Sequence, residues 1–151
     1  MVPTGLIMEK LNHANNLFLE KKFQNAVKKY EEVLEKDPRN LTALNNLGYT
    51  LSKLKKFDIA LKYYNKSLEI EPNDKIVLVN KISLFRKTGQ LENAIEICDN
   101  ILEENPDEFI VLYHKLRLLK KLNRSKESNE ICDKILKVYP KNIEVRNELI
   151  K

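Results

Sequence analysis

Three asparagines recur every 34 residues, Asn12, Asn46 and Asn80, and the next position in that series is His114. A side-chain amide offers both donors and an acceptor, which is what an extended peptide backbone presents in return. Asn15, Asn45 and Tyr49 add polar and aromatic surface beside them. A second group is cationic: Lys53, Arg86–Lys87, Arg117 and Lys120–Lys121. These can attract carboxylates, although lysine at the end of a helix also complements the helix dipole. Catalysis finds no such support. Gly5, Gly48 and Gly89 stand alone, so there is no glycine-rich phosphate loop, and no paired-cysteine or helical two-histidine metal motif occurs. No cofactor and no metal are expected. His13 replaces a core leucine and is expected to be a satisfied, partly buried side chain, and Glu31–Glu32 and Glu103–Glu104 read as solvated faces.

The elements that must carry these residues are set by four prolines, Pro38, Pro72, Pro106 and Pro140, again 34 apart. Each follows a helical stretch that it can stop but not continue. Two residues later stand Asn40, Asp74, Glu108 and Asn142: Asn and Asp can accept from the free amides of the next helix, and Glu108 at least places negative charge there. Counting position 1 at Ile7, Leu41, Lys75 and Phe109, position 20 is Ala26, Ala60, Ala94 and Ser128, small each time. Position 24 is Tyr30, Tyr64, Cys98 and Cys132, position 28 is leucine throughout, and position 11 is Leu17, Leu51, Phe85 and Leu119. The expected helices are about 6–20, 23–36, 41–54, 57–70, 75–87, 91–104, 109–121 and 125–138, in antiparallel pairs joined by short turns. A last helix over 142–151 is expected to cap the array, with Ile143, Leu149 and Ile150 over its open end.

This period, with a small residue, an aromatic or apolar residue and a proline at fixed offsets, resembles the tetratricopeptide repeat (TPR) over nearly the whole chain. The second repeat carries the pattern best, in Leu44, Leu47–Gly48, Ala60, Tyr64 and Pro72. The resemblance implies an all-α, right-handed α-solenoid, a TPR superhelix forming one domain over 1–151: repeats at about 7–40, 41–74, 75–108 and 109–142, then a capping helix over 143–151. It also implies a concave face lined by the first helix of each pair, where Asn12, Asn46 and Asn80 would form a column similar to the asparagine ladder of the TPR segments in protein O-GlcNAc transferases. Repeats three and four depart from the pattern. Lys81–Ile82 and Lys115–Leu116 stand where a large residue and then a small one belong, and the bulk at Ile82 and Leu116 is expected to push the paired helices apart. Cys98 and Cys132 fall on equivalent helices with another helix between them, too far apart for a disulfide, and read as buried thiols.

The two-carboxylate clamp by which some TPR domains hold chaperone tails is matched only at its asparagines. The five positions read Leu11, Asn15, Asn46, Ile76 and Asn80, with every cationic one missing. With 42% hydrophobic and 32% charged residues, the composition is that of a soluble helical protein, and 27 basic against 22 acidic residues give a net charge of +5, too mild and too mixed for a nucleic-acid signature. No apolar run is long enough to span a membrane, and Met1–Gly5 lacks the features of a secretion signal, so a cytoplasmic location is expected. The expected function is a non-enzymatic interaction module whose partner is a protein or an extended acidic peptide. Salt-sensitive nucleic-acid binding along the basic residues, or weak self-association through the ends, stands as the alternative.

Overall fold

The computed structural model describes residues 4–149, with only the backbone of Glu148 and Leu149. Its helices are α1 (Thr4–Leu19), α2 (Phe23–Lys36), α3 (Leu41–Lys53), α4 (Phe57–Ile70), α5 (Lys75–Thr88), α6 (Leu91–Glu104), α7 (Phe109–Lys121), α8 (Ser125–Val138) and α9 (Ile143–Leu149). The described residues contain no strand.

Each boundary has a local cause. The residue before each of Pro38, Pro72, Pro106 and Pro140 is extended (Asp37 has φ −135° and ψ 83°), as the proline ring demands, so the helix ends one residue earlier. Asn40 Oδ1 then accepts from Ala43 N at 3.0 Å, Asp74 Oδ1 from Ile76 N and Val77 N, and Asn142 Oδ1 from Val145 N. Glu108 makes no side-chain cap bond. The turns inside the pairs are equally regular. Lys21, Lys55, Gly89 and Asn123, all at position 15, take positive φ between 56° and 79°. The following amide closes back on the helix: Lys22 N to Leu17 O, Lys56 N to Leu51 O, Gln90 N to Phe85 O and Arg124 N to Leu119 O, each at 2.9 Å. This left-handed C-terminal cap suits glycine or asparagine, and two of the four copies impose it on lysine.

The chain forms two compact units, residues 1–84 and 85–151. In the first, α1 packs on α2, α2 on α3 and α3 on α4. Its core holds Ala14, Ala26, Tyr30, Val33, Leu44, Leu47, Ala60 and Tyr64 at 2% exposure or less. Gly48 fits only because it has no side chain. A Cβ there would lie 2.7 Å from Cε1 of Tyr64 and 3.3 Å from the Ala60 carbonyl. In the second unit, α6 packs on α7, α7 on α8 and α8 on α9, and Leu112, Leu116, Cys132, Ile135 and Val145 share one core.

The bulky residue of repeat four is accommodated rather than disruptive. Leu116, at the position of Gly48, is 1% exposed and shares its core with Cys132, which stands at the position of Tyr64. The crossing keeps its volume by exchanging which helix supplies it. Ile82 and Cys98 repeat that exchange in sequence, and both are fully buried. Lys115 does more than lay its stem along the surface, since it pairs with Asp99. The terminal helix also differs from expectation. Val145 is the residue that enters the core, whereas Ile143 is 71% exposed, because the Asn142 cap turns position 3 inward. Of the other two residues expected there, Ile150 and the Leu149 side chain lie outside the described residues.

The volume exchange predicts a strong coupling. Gly48→Leu is expected to cost ~3 kcal/mol by overpacking against Tyr64, and Tyr64→Cys a similar amount by leaving a cavity. The double variant, which copies the repeat-four pair into repeat two, is expected to recover more than about 1.5 kcal/mol of the summed loss, read from urea midpoints.

Candidate peptide-binding surfaces

In the first unit, Asn15 and Tyr30 meet where α1 turns back into α2. Tyr30 is 1% exposed and donates its hydroxyl to Asn15 Oδ1 at 2.7 Å, while Asn46 Nδ2 donates to the same oxygen at 3.0 Å. A buried hydroxyl needs such a partner, and burial raises the pKa of this one. The network forms the polar side of an open pocket of about 320 Å³ lined by Asn15, Phe18, Leu19, Tyr30, Asn46 and Tyr49. Its walls are aromatic: Phe18 lies 5.5 Å from Tyr49 and 5.3 Å from Phe23 between ring centroids, and Leu19 is 75% exposed. Lys53 Nζ stands 5.1 Å above the Tyr49 ring, adding positive charge beside the pocket.

The expected asparagine column is therefore only partly free for a ligand. Asn12 is exposed. Asn46 and Asn80 each spend a donor between helices, Asn46 on Asn15 and Asn80 on Asn45 Oδ1 at 2.9 Å, which fastens α1 to α3 and α3 to α5. Each keeps its oxygen and a second N–H for other partners. His13 is exposed rather than partly buried, since it lies on a side of α1 that neither α2 nor α3 covers. Glu32 is not simply solvated either. It pairs with Lys29 and, across to α1, with Lys10.

The second unit gathers most of the predicted cations. Arg86, Lys87, Arg117 and Lys121 line one cavity of about 310 Å³, and Tyr113, Leu116, Arg117 and Lys120 line another of about 330 Å³. Lys121 Nζ donates to the Arg86 carbonyl at 3.4 Å, and Arg117 lies over the Tyr113 ring, itself stacked on Phe109. Arg86 is half-buried, and its pKa is lowered first by that burial and then by Arg117. His114 answers to the same field. Burial pushes its pKa down, Arg86 and Arg117 push it further, and its Nδ1 is buried without a hydrogen-bond partner. Both cysteines are free and buried, with the Cys98 thiol pushed up to about 12 by burial, so neither is poised to react. No group of acidic, histidine or cysteine side chains among the described residues could hold a metal ion.

Sequence reasoning did not single out Phe18, Leu19 or Tyr30 as pocket residues. The signal was present for Tyr30, a tyrosine in a core position whose hydroxyl had to find a polar neighbour.

His114 gives the fold a pH dependence. Its pKa is lower in the folded than in the unfolded chain, so as pH falls through the ordinary histidine range near about 6.5 the unfolded chain takes up the proton first and stability declines. The stabilising contribution is complete above that range and is lost as pH falls through the folded-state value. Urea midpoints at pH 7.5 and pH 5.5 are expected to converge in His114→Asn, which places there the residue that position 6 has in the other repeats.

The family model of the tetratricopeptide repeat matches residues 42–74, the span of α3, α4 and their connection. No curated protein matches the sequence. Among solved structures, a tetratricopeptide repeat protein from Parabacteroides merdae superposes with a TM-score of 0.85 at 25% identity, over 93% of this chain and 56% of that one. The chain thus spans little more than half of that relative's length. MamA from Desulfovibrio magneticus gives 0.82 at 16% identity, covering 95% of this chain and 81% of the other. The first TPR of Spaghetti (RPAP3), bound to the HSP90 peptide SRMEEVD, gives 0.70 at 20% identity, covering 78% and 93%. At such identities the likeness is one of fold, an all-α solenoid of antiparallel helix pairs. Residues 42–74 thus carry a tetratricopeptide repeat, and the recurrent caps and the fold around it are those of a solenoid of the tetratricopeptide-repeat kind.

Proposed function

We propose that the chain is a non-enzymatic protein-interaction module whose four repeats act as one domain to capture an extended, acidic peptide segment. The observation that carries this reading is the first-unit pocket: a hydrogen-bonded amide pair, Asn15 and Asn46, at the side of an aromatic-walled cavity. That combination suits a backbone amide followed by an apolar side chain. Asn12, Asn46 and Asn80 hold the backbone through their remaining polar atoms, with Asn45 bracing Asn80 and Tyr49 giving apolar contact. Lys53, Arg86, Lys87, Arg117, Lys120 and Lys121 favour carboxylates, with His114 among the arginines. One structural relative is bound to a peptide containing two glutamates and an aspartate, which supports an acidic ligand for a fold of this kind. The chaperone-tail clamp itself does not suit this chain, where Leu11, Ile76 and Asn80 stand at its cationic positions and Ile76 is 68% exposed.

The test selects peptides from a displayed random library on the full chain and measures the best of them by fluorescence anisotropy. Acidic segments with a large apolar residue are expected to be enriched. Asn46→Ala leaves the Tyr30–Asn15 bond in place, and with Lys53→Ala it is expected to weaken binding about tenfold, the loss of one or two hydrogen-bonding groups. Enrichment of no peptide, or affinity untouched by both changes, would overturn the reading.

A further inference from the structure

We propose that Arg86, Arg117 and Lys121 form a subsite for a tetrahedral dianion, the phosphate of a phosphorylated side chain in the partner segment. The inference rests on the peptide-binding reading and specifies its ligand. Three cationic groups, with Lys87 beside them, surround one cavity of about 310 Å³ that no carboxylate lines. Two acids of this unit are already engaged, Asp99 by Lys115 and Glu127 by Arg124. Arg86 is half-buried and Arg117 opposes its charge, so the two guanidinium groups stand close enough to repel each other. Lys121 is tethered to the Arg86 carbonyl, which keeps a third cation at the same place.

Charge and geometry separate the possible anions. A single carboxylate brings one negative charge and two oxygens, leaving most of the cationic field unmatched. A phosphorylated serine or threonine brings roughly −1.5 to −2 and three acceptor oxygens, enough for two guanidinium forks and an ammonium. His114 then serves as a reporter. Arg86 and Arg117 are the charged groups that hold its proton affinity down besides burial, and an anion between them relieves their effect, so ligand binding and proton uptake at His114 are linked.

The experiment follows the His114 ring by NMR in the full chain during titration with sodium sulfate, a dianion that does not itself titrate between about pH 5 and 8, and with sodium acetate, at constant ionic strength. Sulfate is expected to bind saturably, at least fivefold more tightly than acetate, and to raise the His114 pKa. Arg117→Ala, a change at an exposed side chain, is expected to weaken sulfate tenfold. N-acetyl-phosphoserine amide is then compared with inorganic phosphate and with N-acetyl-glutamate amide. Preference for phosphoserine amide over glutamate amide supports the proposal. Acetate equal to sulfate, no saturation, or binding of inorganic phosphate but not of phosphoserine amide would overturn it. A selected unphosphorylated peptide that binds while sulfate does not sinks this inference alone. Binding of phosphoserine amide when no library peptide is enriched sinks the unphosphorylated acidic reading alone.

Discussion

The repeat rests on a fixed space between paired helices. Position 20 of the second helix is alanine or serine in every copy, at 3% exposure or less, so the first helix can approach closely. What remains must be filled by positions 8 and 24 together. Gly48 with Tyr64 and Leu116 with Cys132 are two divisions of one volume, and Ala14 with Tyr30 is close to the first. Interiors packed as densely as crystals tolerate such exchanges far better than a change on one side alone. The caps and turns then need only stop each helix in register, which the prolines, the Asn and Asp caps and the position-15 turn do at the same place each time.

Much of this was legible in the sequence because its causes are local. A proline fixes the conformation of the residue before it, and a capping carboxamide or carboxylate bonds to amides two or three residues on, so the helix limits fell within two residues of expectation at most boundaries. The compensation at Leu116 could also have been read, since Cys132 stands at the complementary position 24 of the same repeat. Position 8 alone does not reveal it, because its size has meaning only together with position 24 of the same repeat. The exposure of His13 and the burial of Val145 in place of Ile143 depend on which neighbours cover a helix at the edge of a unit. Spacing along one helix does not carry that information. The basic cluster was legible as composition, but the joining of Arg86 to Lys121 by a backbone carbonyl was not.

The two units offer different physical chemistry. The first presents neutral hydrogen-bonding groups beside aromatic rings, interactions that salt hardly weakens. The second presents net positive charge in open cavities, where attraction falls off within a Debye length of about 8 Å at physiological ionic strength. Orientation and apolar contact belong to the first kind of surface, and long-range attraction to the second.

The bond between Asn15 and Asn46 has one more property. Tyr30 can accept as well as donate, so both amides can turn over together and keep the same neighbours, the Tyr30 proton giving up its acceptor on Asn15: Asn15 would then donate inward to Tyr30 and to Asn46. In one arrangement Asn15 offers an outward donor and Asn46 an outward acceptor; in the other those roles are exchanged. A strand laid across the pair would therefore meet a donor and an acceptor whichever way its chain ran, so the pair by itself sets no direction.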